Sequence, residues 1–214
     1  MSVQEKTKVF FLITLLPFAF IYFVIQYFVT GAGYNLLIDL DHVIPFNPHF
    51  IWVYHTFLPV VAITLIFLLK KKALFIKATV ALLMATIILA SFYIIFPSFY
   101  PRDNFGDSSS LSGFIVELTR RLDGAQNTFP SSHVTFSWLA AFFINLSAYA
   151  QKNSWIKVGY IVWAILISVS TLAVKQHYIV DVLAGFMLAA ACFYIAKNMK
   201  LHKLINSSYL HANN

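Results

Sequence analysis

Residues 156–196 read IKVGYIVWAILISVSTLAVKQHYIVDVLAGFMLAAACFYIA, two apolar runs, Ile156–Val174 and Ile179–Ala196, separated by Lys175-Gln176-His177-Tyr178. Each run has the roughly 20 mostly apolar residues that a helix needs to cross a hydrocarbon core about 30 Å thick. Working outward, comparable runs occupy Val9–Thr30, Phe50–Leu69, Ala73–Phe96 and Val134–Ala150; the last is the shortest and extends readily through His133. The pattern predicts an all-α integral membrane protein, a six-transmembrane-helix bundle with short interfacial helices, forming one domain over residues 1–214. Composition agrees: 60% of residues are hydrophobic and 11% charged, whereas about a quarter are charged in a soluble domain.

The formal charge of +7 raises the question of a nucleic acid partner, but the placement of the lysines argues for topology instead. With six spans, one side of the membrane carries Lys6, Lys8, Lys70, Lys71, Lys72, Lys77, Lys152, Lys157, Lys197, Lys200 and Lys203. The other carries only Arg102, Arg120, Arg121 and Lys175. A Lys/Arg excess marks the cytoplasmic face, so both termini are expected inside and no nucleic acid partner is expected. A signal peptide competes for the first run, but its apolar stretch is long and no clear cleavage site follows; an uncleaved helix is expected. The single cysteine, Cys192, lies in an apolar run and permits no intrachain disulfide.

Two outer loops are more than connectors. Gly31–Pro48 mixes Leu36, Leu37, Ile38 and Leu40 with Asp39, Asp41 and His42, and reads as an interfacial segment. The loop from Pro97 to Ser132 is long, and long loops tend to be functional. Within it Phe114, Ile115, Leu118 and Leu122 recur at helical spacing opposite Glu117, Arg120 and Arg121. This predicts a short amphipathic helix at the membrane surface, over Ser112–Leu122, covering a pocket.

Span parity puts three polar clusters on this outer face: Arg102 after the third run, Pro130-Ser131-Ser132-His133 opening the fourth, and Lys175-Gln176-His177 with Asp181 between the last two. A helix start presents unpaired N–H groups and a positive dipole end, a ready anion site, and Ser131 and Ser132 add hydroxyls. Arg102 can bond phosphate bidentately, while Lys175 offers a point charge. His177 and Asp181, four apart, share a helix face, so the carboxylate can fix the ring tautomer and free the other nitrogen for attack. His133 is then the second acid/base, donating to the leaving oxygen. Taken singly, each piece has a structural reading. Pro-Ser-Ser-His can be an N-cap, His177 and Asp181 a structural pair, and the arginines headgroup anchors; His42, His49 and His55 have no comparable partners in the sequence and read as interfacial. Two histidines and a carboxylate could also hold a metal, but the neighbouring cations Arg102 and Lys175 disfavour a dication; no metal and no cofactor are expected.

The joint spacing resembles the type-2 phosphatidic acid phosphatase superfamily. Pro130-Ser131-Ser132-His133 is similar to its P-S-G-H signature, and Ser170-Thr171, then His177 and Asp181, to its S-R-x5-H-x3-D signature. Arg102 resembles the arginine of K-x6-R-P. The resemblance implies metal-independent phosphoryl transfer from a lipid phosphate or pyrophosphate. In it His177 is the nucleophile, Asp181 its orienter and His133 the proton donor; Arg102, Ser131 and the Ser132 backbone hold phosphate oxygens. Four positions depart from the pattern: Ile95 where the family has Lys, Asp103 where it has Pro, Ser132 where it has Gly, which donation from the backbone N–H tolerates, and Thr171 where it has the third-signature Arg. Lys175, with Arg120 or Arg121, is expected to replace the lost charge. Asn127, Phe129-Pro130-Ser131, His133 and Gln176-His177-Tyr178 also resemble the branch related to inositol phosphorylceramide synthases, where an alcohol receives the phosphoryl head group. A non-catalytic membrane protein with a degenerate site is the third reading. The expected setting is a bacterial inner membrane with the site on the periplasmic side.

Overall fold

The computed structural model describes residues 24–25, 27–29, 33–101 and 110–200. The expected first span, Val9–Thr30, falls almost wholly outside them. Among the described residues the regular elements are helices: α1 (Asp39–Val43), α2 (Ile51–Tyr54), α3 (Phe57–Leu68), α4 (Lys72–Ile95), α5 (Leu111–Asp123), α6 (Ser132–Asn145), α7 (Ala148–Lys152), α8 (Ser154–Ala173) and α9 (Ile179–Asn198).

Four described segments are long and apolar enough to cross a membrane: Pro48–Leu68, Lys72–Ile95, Ser154–Ala173 and Ile179–Asn198. They correspond to four of the six expected runs. Their outward faces carry Ile87 and Ile94 on α4, Val158 and Val162 on α8, and Leu183 and Met187 on α9, all exposed. Helices that are apolar all round suit lipid contact rather than water. Local chemistry sets their ends. Phe96 precedes Pro97 and leaves helical geometry, at φ −129° and ψ 65°, because proline crowds the residue before it out of the α region. At the start of α8 the Asn153 side chain accepts from Trp155 N–H at 3.1 Å.

The expected span Val134–Ala150 takes a different form. α6 stops at Asn145, and Ser147 opens the separate α7 by accepting from Ala150 N–H at 3.2 Å. With 14 residues, α6 is about 21 Å long, short for lipid contact along its whole length. It has little lipid contact to make, because it is the central helix, packed against α3, α4, α8 and α9. Leu139, Phe143 and Ile144 fill the core with Leu89, Ile167 and Cys192.

α9 approaches α6 most closely at Gly185, where an added Cβ would lie 2.7 Å from the Ser131 carbonyl oxygen. The absent side chain lets the starts of the two helices meet, and Thr135 Oγ1 completes the contact, bonding the Gly185 carbonyl at 3.1 Å.

The expected amphipathic helix is present as α5, with Ser110 capping its start and Gly124, at φ 61°, ending it. Its orientation is the reverse of a soluble helix. Ser112, Val116, Thr119 and Arg120 are buried against the protein, while Leu111, Phe114, Leu118 and Leu122 face outward. An apolar outer face fits a helix lying in the membrane interface. The Gly31–Pro48 segment behaves similarly: Leu37, Leu40 and Val43 are exposed. Tyr34 pairs with the turn after α4, donating to Pro97 O at 2.8 Å and accepting from Phe99 N–H at 3.1 Å.

Gly185→Val is expected to cost about 1–3 kcal/mol by overpacking, visible as a lower melting temperature in detergent. Gly159→Ala, with nothing within 4 Å of the new Cβ, is expected to be neutral or to stabilise by under about 1 kcal/mol. Equal behaviour of the two variants would refute the close α6–α9 approach.

Candidate active site

The turn from α8 to α9 is closed by backbone bonds: Gln176 and His177 N–H both donate to Thr171 O, at 3.0 and 3.2 Å, and Lys175 adopts φ 58°. Asp181 lies in the first turn of α9 and is fully buried. Its Oδ2 accepts from Tyr178 N–H at 2.9 Å and faces His177 Nδ1 at 3.3 Å. A carboxylate there favours the tautomer with the proton on Nδ1, which leaves the Nε2 lone pair available. The same residue's carbonyl accepts from Ser131 N–H at 3.1 Å, which ties the start of α6 to the start of α9.

That tie brings the second histidine in. His133 lies with its ring centroid 5.7 Å from that of His177, packed between Tyr54 at 4.4 Å and Phe57 at 4.7 Å. Its Nδ1 has no hydrogen-bond partner among the described residues. Ser131 caps α6, accepting from Val134 N–H at 3.4 Å, and Tyr93 Oη donates to the Pro130 carbonyl at 3.1 Å. Ser131 and Ser132 are both buried. The fold therefore gathers His177, Asp181, His133, Ser131 and Ser132.

The other expected phosphate ligands are placed differently. Arg102 lies outside the described residues. Thr171 is buried, and its Oγ1 donates to Ser168 O at 2.8 Å. The Lys175 ammonium donates to the carbonyls of Asp41 at 3.1 Å and Ile44 at 2.6 Å. Burial pushes this ammonium below the usual lysine range, with the Asp41 carboxylate acting in the opposite direction. Among the described residues no three His, Cys, Asp or Glu side chains stand together as a metal site.

Several neighbours were not singled out from the sequence. Asp41 is buried; its Oδ1 accepts from Ile179 N–H at 2.9 Å and its Oδ2 from Ile38 N–H at 3.0 Å. A carboxylate at the first turn of α9 is also well placed against the helix dipole. Together with the Lys175 bonds, it straps α1 to the histidine turn from the outside. Beside the strap opens a cavity of about 370 Å³, whose lining includes Asn35, Asp41, His42, Tyr100, Lys175 and Tyr178. Two histidines read as interfacial bond α5 hydroxyls: His55 Nε2 bonds Thr119 Oγ1 at 2.9 Å, and His49 Nδ1 faces Ser112 Oγ at 3.3 Å. Tyr54, whose ring covers His133, donates to Asp123 Oδ2 at 3.2 Å. These bonds fasten α5 above the paired histidines.

A membrane-type helical protein with one carboxylate-bonded histidine facing a second at the mouths of two packed helices belongs to a recognisable class. The chain is a member of the PAP2 superfamily, whose family model matches residues 97–204, about half of its length. The matched region includes His133, His177 and Asp181. No curated protein and no solved structure matches the chain significantly. Membership gives it a function of the phosphatase or phosphotransferase type.

Asp41→Ala removes the acceptor for two backbone N–H groups, one of them half-buried at the start of α9. It is expected to cost about 1–3 kcal/mol and to speed hydrogen exchange at Ile179. Unchanged exchange at Ile179 would show that the strap does not hold the histidine turn.

Proposed function

We propose that this protein is a metal-independent lipid phosphate phosphatase working through a phosphohistidine at the extracytoplasmic membrane face. The observation that carries the reading is the His177 Nδ1 contact with Asp181 at 3.3 Å, with the His133 ring facing it at 5.7 Å. His177 Nε2 attacks phosphorus, the bond from phosphorus to the lipid oxygen breaks, and His133 gives that oxygen its proton. Water then attacks the phosphohistidine, the P–N bond breaks, and His133 takes the water's proton as phosphate leaves. Asp181 keeps the ring oriented and stabilises the positive charge it acquires. The start of α6, with Ser131 and the Ser132 N–H, receives phosphate oxygens; positioning and charge stabilisation provide most of the rate.

The lysine distribution supports both termini on the cytoplasmic side, which puts the α8–α9 turn outside. This topology follows the six apolar runs of the sequence, in which the α6 region is the fourth, and a bundle with few extramembrane residues suits a bacterial inner membrane. The lipid tail lies between helices while the headgroup enters beneath α5.

A second reading is transfer to an alcohol. The cavity of about 370 Å³ reaches Tyr178, the residue after His177, and is large enough for a small polyol. In that case the alcohol replaces water in the second half-reaction, with the same residues in the same roles.

Purified protein in detergent is expected to release phosphate from some member of a lipid phosphate panel, with turnover unaffected by chelator. His177→Ala should lower it at least about 1000-fold. Adding inositol or glycerol separates the two acceptors by product. Undiminished turnover in His177→Ala, or loss on chelation, would contradict the assignment. Because one histidine must be free and the other protonated, kcat/KM should be bell-shaped in pH; a single-limbed profile would remove His133 from its role.

A further inference from the structure

A phosphate monoester brings close to two negative charges at neutral pH, and the two signature positions that carry cations in relatives are here Ile95 and Thr171. Ile95 is 80% exposed on the outer surface of α4, and Thr171 is fully buried with its hydroxyl bonded to Ser168 O. Two nearby cations are turned to other tasks. The Arg121 side chain is 75% exposed and pairs with Glu117 at 3.0 Å. The Lys175 ammonium holds the carbonyls of Asp41 and Ile44.

Arg120 differs from Arg121 in being buried, and from Lys175 in presenting a planar fork of donors rather than a single ammonium. It is only 7% exposed, on the inward face of α5. Its Nη2 donates to Val174 O at 3.2 Å, three residues before His177, and its guanidinium lies 5.4 Å from the centroid of the Phe46 ring. One turn further along the same helix, Asp123 holds Tyr54, whose ring covers His133. The inward face of α5 thus touches both histidine-bearing regions: the α8–α9 turn through Arg120, and the His133 ring through the Asp123–Tyr54 pair. Burying a guanidinium is costly, and its planar fork of donors is matched to phosphate oxygens.

We propose that Arg120 is a phosphate-binding arginine of this protein, carried in from the interfacial helix α5 to supply the charge that Thr171 lacks on α8. The assignment rests on the phosphoryl-transfer reading above and selects between the two arginines that the sequence leaves equivalent. It also gives α5 a second role. Besides covering the site, the helix carries the charge that recognises the substrate, so a phosphate is held firmly only when α5 is docked.

The test uses the full chain in detergent, with lipid phosphate turnover and competitive inhibition by inorganic phosphate as readouts. Arg120→Gln is expected to lower kcat/KM about 100-fold, the worth of a charged hydrogen bond, and to weaken phosphate inhibition at least about tenfold. Arg121→Gln should stay within about twofold of wild type, as a surface change does. Arg120→Lys should recover part of the lost affinity, and methylguanidine should restore activity to Arg120→Ala. Wild-type kcat/KM and phosphate inhibition in Arg120→Gln would overturn the proposal. So would a lowered melting temperature in Arg120→Gln and Arg120→Ala with no methylguanidine rescue of the latter, since that is the signature of a purely structural arginine. If the wild-type protein neither turns over lipid phosphates nor binds inorganic phosphate, the phosphoryl-transfer reading itself falls, and this assignment with it.

Discussion

The structure of the site turns on one buried carboxylate. Asp181 has no exposed surface, and its Oδ2 serves both the Tyr178 N–H and the His177 ring, while its backbone oxygen takes the Ser131 N–H. A single residue thereby caps α9, orients one histidine and fixes the start of the helix that carries the other. The close approach at Gly185 makes this geometry possible, because the Ser131 carbonyl occupies the space a side chain would need. Low dielectric surroundings strengthen each of these bonds and make loss of any one expensive. The same buried carboxylate would, in the proposed chemistry, face the positive charge that grows on His177.

Around this centre the outer segments act as braces. α1 is held by Asp41 and Lys175 on one side of the histidine turn, and α5 by His55, Tyr54 and Arg120 on the other. Both braces turn apolar side chains away from the protein, Leu40 and Val43 from the first, Phe114 and Leu118 from the second. In a lipid interface such faces are favourable, so the membrane itself helps to press the braces onto the site. In the proposed assignment of Arg120, one of these braces also supplies the cation that meets phosphate.

Much of this arrangement was legible in the sequence, and the reasons differ by element. Apolar runs of spanning length mark α3, α4, α8 and α9, because lipid requires continuous apolar surface. The His177–Asp181 contact forms, but not across a shared helix face. α9 begins at Ile179, so His177 lies before the helix, and the turn bonds to Thr171 O with the Tyr178 N–H to Asp181 bond bring its ring to the carboxylate. The split between α6 and α7 was less visible. α6 is surrounded by protein, so its length is not set by bilayer thickness, and Ser147 reads as an ordinary residue until its cap is seen. Periodicity identified α5 but could not orient it, since the apolar side faces inward in water and outward in lipid. Lys175 and Asp41 were beyond reach for another reason. Their partners are backbone groups more than 130 positions away, and no local spacing records such a bond. His55 and His49 read only as interfacial, and their bonds to α5 are likewise long-range contacts that no local spacing records.

The central claim is that His177 becomes covalently phosphorylated. Rapid quenching of the enzyme during turnover of a lipid labelled on its phosphate, followed by mapping of the labelled residue, addresses this directly. The account predicts a label that is stable in base, labile in acid, located at His177 and lost in its alanine variant. A label that resists acid, sits on Ser131 or Ser132, or fails to form while substrate is being turned over would contradict it.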